Sequence, residues 1–284
     1  MSPAAGRLVL VATPIGNMAD MSPRAMSALA EADIVCCEDT RHSGLLLSRL
    51  GVAAKRLVSL NAHNEAEKAP WLLGVMAGGA VVALVSDAGT PAVSDPGERL
   101  VALAAENGLT VTSVPGPSAV LAGLVVSGMG LSRWRFEGFL PRKGPERRAL
   151  LAEIAAAPCP SVCFESPHRV AATLADLAAA CGEGRRVAVC RELTKLHEET
   201  FRGTLGEAAA RFAAAPVRGE LVVVVAGSDP PSPAESDVAG LHSAVGSLMA
   251  KGLSRRDAVR QVAIDKGLPR STVYAAAIAE VPSL

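Results

Sequence analysis

Five apolar runs of strand length punctuate the first 115 residues: RLVLVAT (7–13), DIVCCED (33–39), RLVSL (56–60), VVALVSD (81–87) and LTVTSV (109–114). Segments of helical period separate them. Short runs with little polar alternation suit strands covered on both faces, and a helix between successive strands suits parallel crossovers. The pattern implies an α/β domain with a mostly parallel sheet. Ser22-Pro23 reads as an N-cap followed by proline at the first helical position, opening a helix to Ala32. Further helices are expected near 42–50 and 64–76, and Asp95-Pro96 is expected to open one that ends at Asn107-Gly108, with Asp95 as its cap.

The second half changes pattern. After the turn and apolar helix of PGPSA (115–119) come five strands: RWRFEGF (133–139), SVCFES (161–166), RVAVCREL (186–193), HEETFRGTL (197–205) and ELVVVVAG (220–227). Helices are expected near 145–156, 168–180 and 206–214. The alternation in HEETFRG fits an antiparallel strand with one wet face, so this sheet should be mixed. SDPPSPAESD (228–237) reads as a linker. Beyond it the chain reads as helical, with Ser254 capping one helix and Ser271 a second across a Gly267/Pro269 turn, a helix-turn-helix outline. The expected domains are 1–115, 116–228 and 238–284.

Charge and composition exclude several classes. The 284 residues carry 28 basic and 28 acidic side chains, so the protein as a whole is no generic polyanion binder. The stretch Lys251–Arg270 is locally basic. One Tyr, two Trp and five Phe argue against a base-stacking platform. No apolar run reaches membrane-spanning length, and the first residues lack the pattern of a signal peptide, which makes the cytoplasm the expected compartment. The six cysteines form no C-x-x-C and read as buried thiols of a reducing compartment.

Polar loops follow the strands: TPIGN (13–17), CEDTRHS (37–43), NAHNE (61–65), SDAGTP (86–91), ESPHR (165–169) and RELTKLHEE (191–199). That edge of an α/β sheet is where ligands bind, and a cleft between the two halves is the natural site. No dinucleotide fingerprint, P-loop, nucleophile elbow or metal-ligand cluster is present, so no metal is expected. The loops instead offer carboxylates, backbone groups and small residues. A sulfonium-bearing amino acid joined to adenosine fits that set; a sugar or an amino acid fits it as well.

TPIGN, CEDTRHS, SDAGTP with SDPG, PGPSA, GFLPRKG (138–144), FESPHR (164–169), RELTKLHEE with RGTL, and GELVVVVAG (219–227) follow in order along the chain. This series resembles the small-subunit ribosomal RNA cytidine 2′-O-methyltransferases of the tetrapyrrole methylase superfamily. The resemblance covers about residues 7 to 280. It implies two α/β domains of the tetrapyrrole methylase type with a small C-terminal helical domain. It implies S-adenosylmethionine as methyl donor, transfer to the ribose 2′-OH of a cytidine in the decoding region of 16S ribosomal RNA or the small ribosomal subunit, and a homodimer. The donor site it implies takes Pro14, Asp87, Ala88, Gly89, Thr90, Ser118, Ala119, Glu165, Leu193, Val225, Ala226 and Gly227. The alternative is a methyltransferase acting on a small, tetrapyrrole-like molecule, although TPIGN is less glycine-rich than the matching loop of tetrapyrrole-modifying relatives.

Such a transfer needs alignment of the acceptor oxygen and a base for its proton. Glu165, Arg191, Glu192 and Lys195 form the expected catalytic set, with Glu38, Asp39 and His168 as further candidate bases. Arg41, Arg169, Arg191 and Lys195 are candidates for phosphate contacts. RNA is expected on Arg142 and Lys143, with Arg147 and Arg148, and on Arg255, Arg256 and Arg260 of the basic tail.

Overall fold

The structure, a computed structural model, describes residues 6–228 and 238–278. The five runs of the first part become β1 (Arg7–Val11), β2 (Ile34–Cys37), β3 (Leu57–Ser59), β4 (Val81–Leu84) and β5 (Thr110–Val114). They form one sheet in the order β3-β2-β4-β1-β5 with every pair parallel. Helices α1 (Pro23–Glu31) and α2 (Thr40–Arg49) cover one face, where Leu29 and Leu47 meet Val9, Val11 and Val35. Helices α3 (Glu65–Ala77) and α4 (Glu98–Glu106) cover the other, where Leu72, Met76 and Leu100 meet Leu8, Ile34 and Val82. β1 and β4 are neighbours, yet the helices that follow them take opposite faces. The chain therefore parts above their carboxyl ends, where open parallel sheets form a crevice.

Ser22 caps α1 as expected, its hydroxyl accepting from the Ala25 N–H at 3.1 Å. The expected start of α4 is corrected. Its N-cap is Gly97, at φ 123°, and a Cβ there would lie 2.4 Å from the Leu84 side chain. Both facts require glycine. Asp95 caps no helix and turns toward the cavity described below.

The second part contributes α5 (Ala119–Ser127), β6 (Arg135–Phe139), α6 (Pro145–Ala156), β7 (Ser161–Glu165), α7 (Val170–Cys181), β8 (Arg186–Arg191), β9 (Glu199–Thr204), α8 (Leu205–Ala214) and β10 (Leu221–Val225). Its sheet runs β6-β7-β10-β8-β9. β6 and β7 are parallel and the other pairs antiparallel. β10 is central and buried throughout. Its antiparallel course sets Leu221, its first residue, opposite Glu165 and Arg191, the last residues of β7 and β8. α6, α7 and α8 pack on one face, and α5 on the other through Val120 and Leu124. Cys36, Cys37, Cys163 and Cys190 are buried strand residues. Burial pushes the thiol of Cys36 up to about 12 and that of Cys163 upward too, so both are protonated and unreactive near neutral pH.

Both sheets belong to one compact unit, Met1–Ala155 with Cys159–Ala226; a second unit takes Ala156–Pro158 and Gly227–Leu284. In the latter, α9 (Val238–Ala250), α10 (Arg255–Lys266) and α11 (Arg270–Ile278) enclose Leu241, Val245, Val259, Val262 and Val273. Ser254 caps α10, accepting from the Asp257 N–H at 3.2 Å. Ser271 does not cap α11, which already begins at Arg270. The expected linker lies, apart from Ser228, outside the described residues. No described helix is long and apolar enough to cross a membrane.

Candidate active site

Three loops of the first sheet are stitched together by short polar bonds. Thr13 N–H donates to the Gly89 carbonyl at 2.9 Å and Gly89 N–H to the Thr13 carbonyl at 3.1 Å, joining TPIGN to SDAGTP. The Ser86 hydroxyl lies 3.2 Å from the carbonyls of Ala88 and Gly89, holding the turn. Thr90 Oγ1 donates to the Pro117 carbonyl at 3.3 Å, tying in PGPSA. From the second sheet, Glu192 Oε1 accepts from the Glu220 N–H at 3.0 Å and from Lys195 Nζ at 2.8 Å. Gly219, at φ 93°, is required here, because a Cβ would sit 2.4 Å from the Glu192 carboxyl. The described non-glycine residues with positive φ are Ala92, Ser94, Glu192 and Thr194, all in these two loops. Such conformations cost about 1 to 3 kcal/mol each and concentrate at functional sites.

These loops enclose a cavity of about 350 Å³. Asp87 to Thr90 and Ser118 to Val120 line it from one side, and Glu165, Leu193 and Glu220 to Val222 from the other. An adjoining cavity of about 230 Å³ shares Ile15, Asp87, Ala88 and Glu220 with it and adds Pro14, His42, Arg49 and Lys195. Asp87, Ala88, Gly89, Thr90, Ser118, Ala119, Glu165 and Leu193 thus meet at the first cavity, as the sequence suggests, while Pro14 faces the second. Val225, Ala226 and Gly227 line neither. β10 begins at the cavity and runs away from it, so the residues that face the ligand space are Glu220, Leu221 and Val222. The motif GELVVVV contained them, but strand direction decides which end matters.

The first cavity is lined by no lysine or arginine and by the acids Asp87, Asp95, Glu165 and Glu220. Asp87 Oδ1 is buried without a hydrogen-bond partner. A phosphate finds no counter-charge there; a cationic ligand does. Asp95 is pushed up to about 6 by burial first, then by the charges of Glu38 and Asp87. A carboxyl raised in the folded state holds its proton longer than in the unfolded chain. Its contribution is therefore fully present below about pH 4 and is lost as pH rises through about 6. Asp95→Asn is expected to stabilise the protein at pH 7.5 by on the order of 1 kcal/mol, allowing for partial contact with water, and to have a smaller effect at pH 5. Urea unfolding at the two pH values checks this.

The other candidates divide sharply. Glu165 is wholly buried and committed: its carboxylate accepts from Thr173 Oγ1 at 2.6 Å and from the Ser166 N–H at 2.8 Å, with Arg169 Nε at 3.4 Å. Arg169 also donates to the Leu140 carbonyl, so it anchors this loop rather than standing free for phosphate. Arg147 is buried against Asp176, Thr173 and the Pro141 carbonyl and leaves the expected RNA patch, whereas Arg142, Lys143 and Arg148 are exposed. Arg191 pairs with Glu199 at 3.0 Å and lines neither cavity. Asp39 caps α2 and pairs with Arg41, whose hydrogen bond first of all holds its carboxyl at about 2. That removes Asp39 as a base near neutral pH, while the Arg41 side chain stays almost wholly exposed. His168 is exposed and lines neither cavity. Burial pushes the Lys195 ammonium down, but its bonds to Glu192 and Glu220 (3.0 Å) outweigh that and leave it above the ordinary lysine value. The same lysine bond lowers Glu192. Lys195 therefore acts as a fixed cation, not as a base.

The chain matches the family of tetrapyrrole (corrin/porphyrin) methylases over residues 7–209. It is 48% identical over 261 residues to a ribosomal RNA small subunit methyltransferase I of Mycobacterium tuberculosis, covering 92% of this chain and 90% of that one. It is 43% identical over 269 residues to one of Synechocystis sp., covering 95% and 96%. Among solved structures, uroporphyrin-III C-methyltransferase of Thermus thermophilus, complexed with S-adenosyl homocysteine, superposes with a TM-score of 0.55 at 19% identity, covering 78% of this chain and 96% of that one. The last similarity concerns the fold; the family match over residues 7–209 and the two relatives over nearly full length concern the family. The chain belongs to the ribosomal RNA small subunit methyltransferase I family, within the tetrapyrrole methylases.

Proposed function

We propose that the protein transfers a methyl group from S-adenosylmethionine to the ribose 2′-OH of a cytidine in the decoding region of 16S ribosomal RNA. The observation that carries the donor assignment is the first cavity: no basic side chain on its walls, and the buried, unpartnered Asp87 Oδ1 facing a site for a ligand with positive charge and no phosphate. Asp87, the backbone of Ala88 to Thr90, Ser118, Ala119, Leu193 and Glu220 to Val222 hold the donor, which supplies its methyl on a sulfonium. Lys195 and its two glutamates fix the rim. The test is labelled S-adenosylmethionine with naked 16S RNA, assembled small subunits or no RNA, followed by mapping of the label. Label at a single cytidine ribose is expected. Transfer without RNA, or only to a small tetrapyrrole, contradicts the reading.

In this reading 1–115 and 116–228 build the site and 238–284 adds RNA contact. Arg255, Arg256 and Arg260 are exposed on α10, Arg260 lying 3.5 Å from Asp257. Replacing all three by alanine is expected to weaken RNA binding and reduce its logarithmic salt dependence by roughly 2 units. Binding unchanged across a salt series contradicts that role. A ribosomal substrate supports a cytoplasmic location. Homodimerisation is supported by Leu121 and Val125, one turn apart on α5 and more than half exposed; light scattering tests it.

A further inference from the structure

We propose that the smaller cavity receives the acceptor nucleotide, turned out of its strand, with Arg49 and His42 as its phosphate and ribose contacts. The inference rests on the donor reading of the larger cavity. Displacement at the methyl carbon requires the acceptor oxygen to approach in line, from a space that opens onto the donor site. The smaller cavity does so across the shared wall of Ile15, Asp87, Ala88 and Glu220.

Its chemistry differs from the larger one's, although Asp87 and Glu220 line both. No basic residue lines the donor cavity; His42, Arg49 and Lys195 line this one. Arg147, Arg169 and Arg191 are held by carboxylates, and Lys195 by Glu192 and Glu220. Arg49 forms no ion pair with a described residue, and neither Arg49 nor His42 makes a side-chain hydrogen bond with one. His42, Leu45, Leu46 and Arg49 stand at i, i+3, i+4 and i+7 of α2 and so share one face. Leu45, 52% exposed, lines this cavity and gives it an apolar surface. A cationic rim with an apolar floor suits a single extruded nucleotide: phosphates are held by charge, and the unstacked base lies on apolar surface.

The test compares full-length wild type with Arg49→Ala, Arg49→Lys and Leu45→Trp, the last filling the cavity from an exposed position. Affinity for S-adenosylhomocysteine is measured by calorimetry and kcat/KM on assembled small subunits by initial rates. Donor affinity within about twofold of wild type is expected throughout. A loss of kcat/KM of roughly tenfold or more, the size of one charged contact, is expected in Arg49→Ala and Leu45→Trp, with partial recovery in Arg49→Lys. Unchanged kcat/KM in Arg49→Ala and Leu45→Trp overturns the inference while leaving the donor site standing. A parallel loss of donor affinity overturns it too, by assigning this cavity to the donor. Wild-type protein that fails to bind S-adenosylhomocysteine overturns the donor reading and this inference with it.

Discussion

Asp87→Ala is expected to lose most of its affinity for the methyl donor while folding at least as stably as wild type. The two effects have one cause. Asp87 Oδ1 is buried and has no hydrogen-bond partner among the described residues. An unsatisfied buried polar group costs a fold about 1 to 3 kcal/mol, and that cost disappears with the side chain. A carboxylate that meets a cationic group of the ligand contributes about 1.5 to 3 kcal/mol, so the dissociation constant for S-adenosylhomocysteine should rise roughly tenfold to a hundredfold. Calorimetry and urea unfolding on the same preparations check both halves. A structural role for Asp87 gives the opposite pattern, with reduced stability and little change in affinity.

Glu165→Ala is expected to behave in the contrary way, with a large loss of stability. The Glu165 side chain is fully buried, and Thr173, the Ser166 N–H and Arg169 all depend on it. Thr173 in turn accepts from Arg147 at 3.1 Å, which pairs with Asp176 at 2.7 Å. Removing one member of a buried charged set leaves the others uncompensated, at a cost of about 3 to 5 kcal/mol. Glu165→Gln, which retains an acceptor and the shape, should lose less. If Glu165 instead acted directly in the chemistry, the variant would keep its unfolding midpoint and lose turnover alone. This contrast separates two acids that look alike in sequence, both in short polar motifs after apolar strands.

The strands and their order of appearance were legible because continuous apolar runs admit few other structures, and Ser22-Pro23 marked a helix start by local chemistry alone. What the sequence hid depended on direction and depth. VVVV reads the same in a parallel or an antiparallel strand, so the sequence cannot show that β10 meets the cavity at Leu221, opposite Glu165, rather than at the Val225 to Gly227 that the resemblance implies. Asp95-Pro96 carries a good capping signal, but the close approach to Leu84 reserves the cap for Gly97. Arg147 and Arg148 are indistinguishable in sequence; only the helix that carries them, α6, turns one inward to Asp176 and leaves the other in solvent. His42 and Arg49 do not stand out in the sequence, although their spacing is visible, because a shared helix face has no meaning until the fold shows a cavity beside it. The motif loops themselves were easier. Gly89 with Thr90, Ser118 and Leu193 come from three points in the chain and meet at one cavity because strand ends of two sheets face each other.

The location of the donor site is the central claim, and amide hydrogen exchange with and without saturating S-adenosylhomocysteine tests it most directly. Protection is expected at residues 86–90, 118–120, 193–195 and 220–222, with 225–227 and the C-terminal helices unchanged. Protection centred on 225–227 or on residues 238–278, or none in the four loops at saturation, would contradict it.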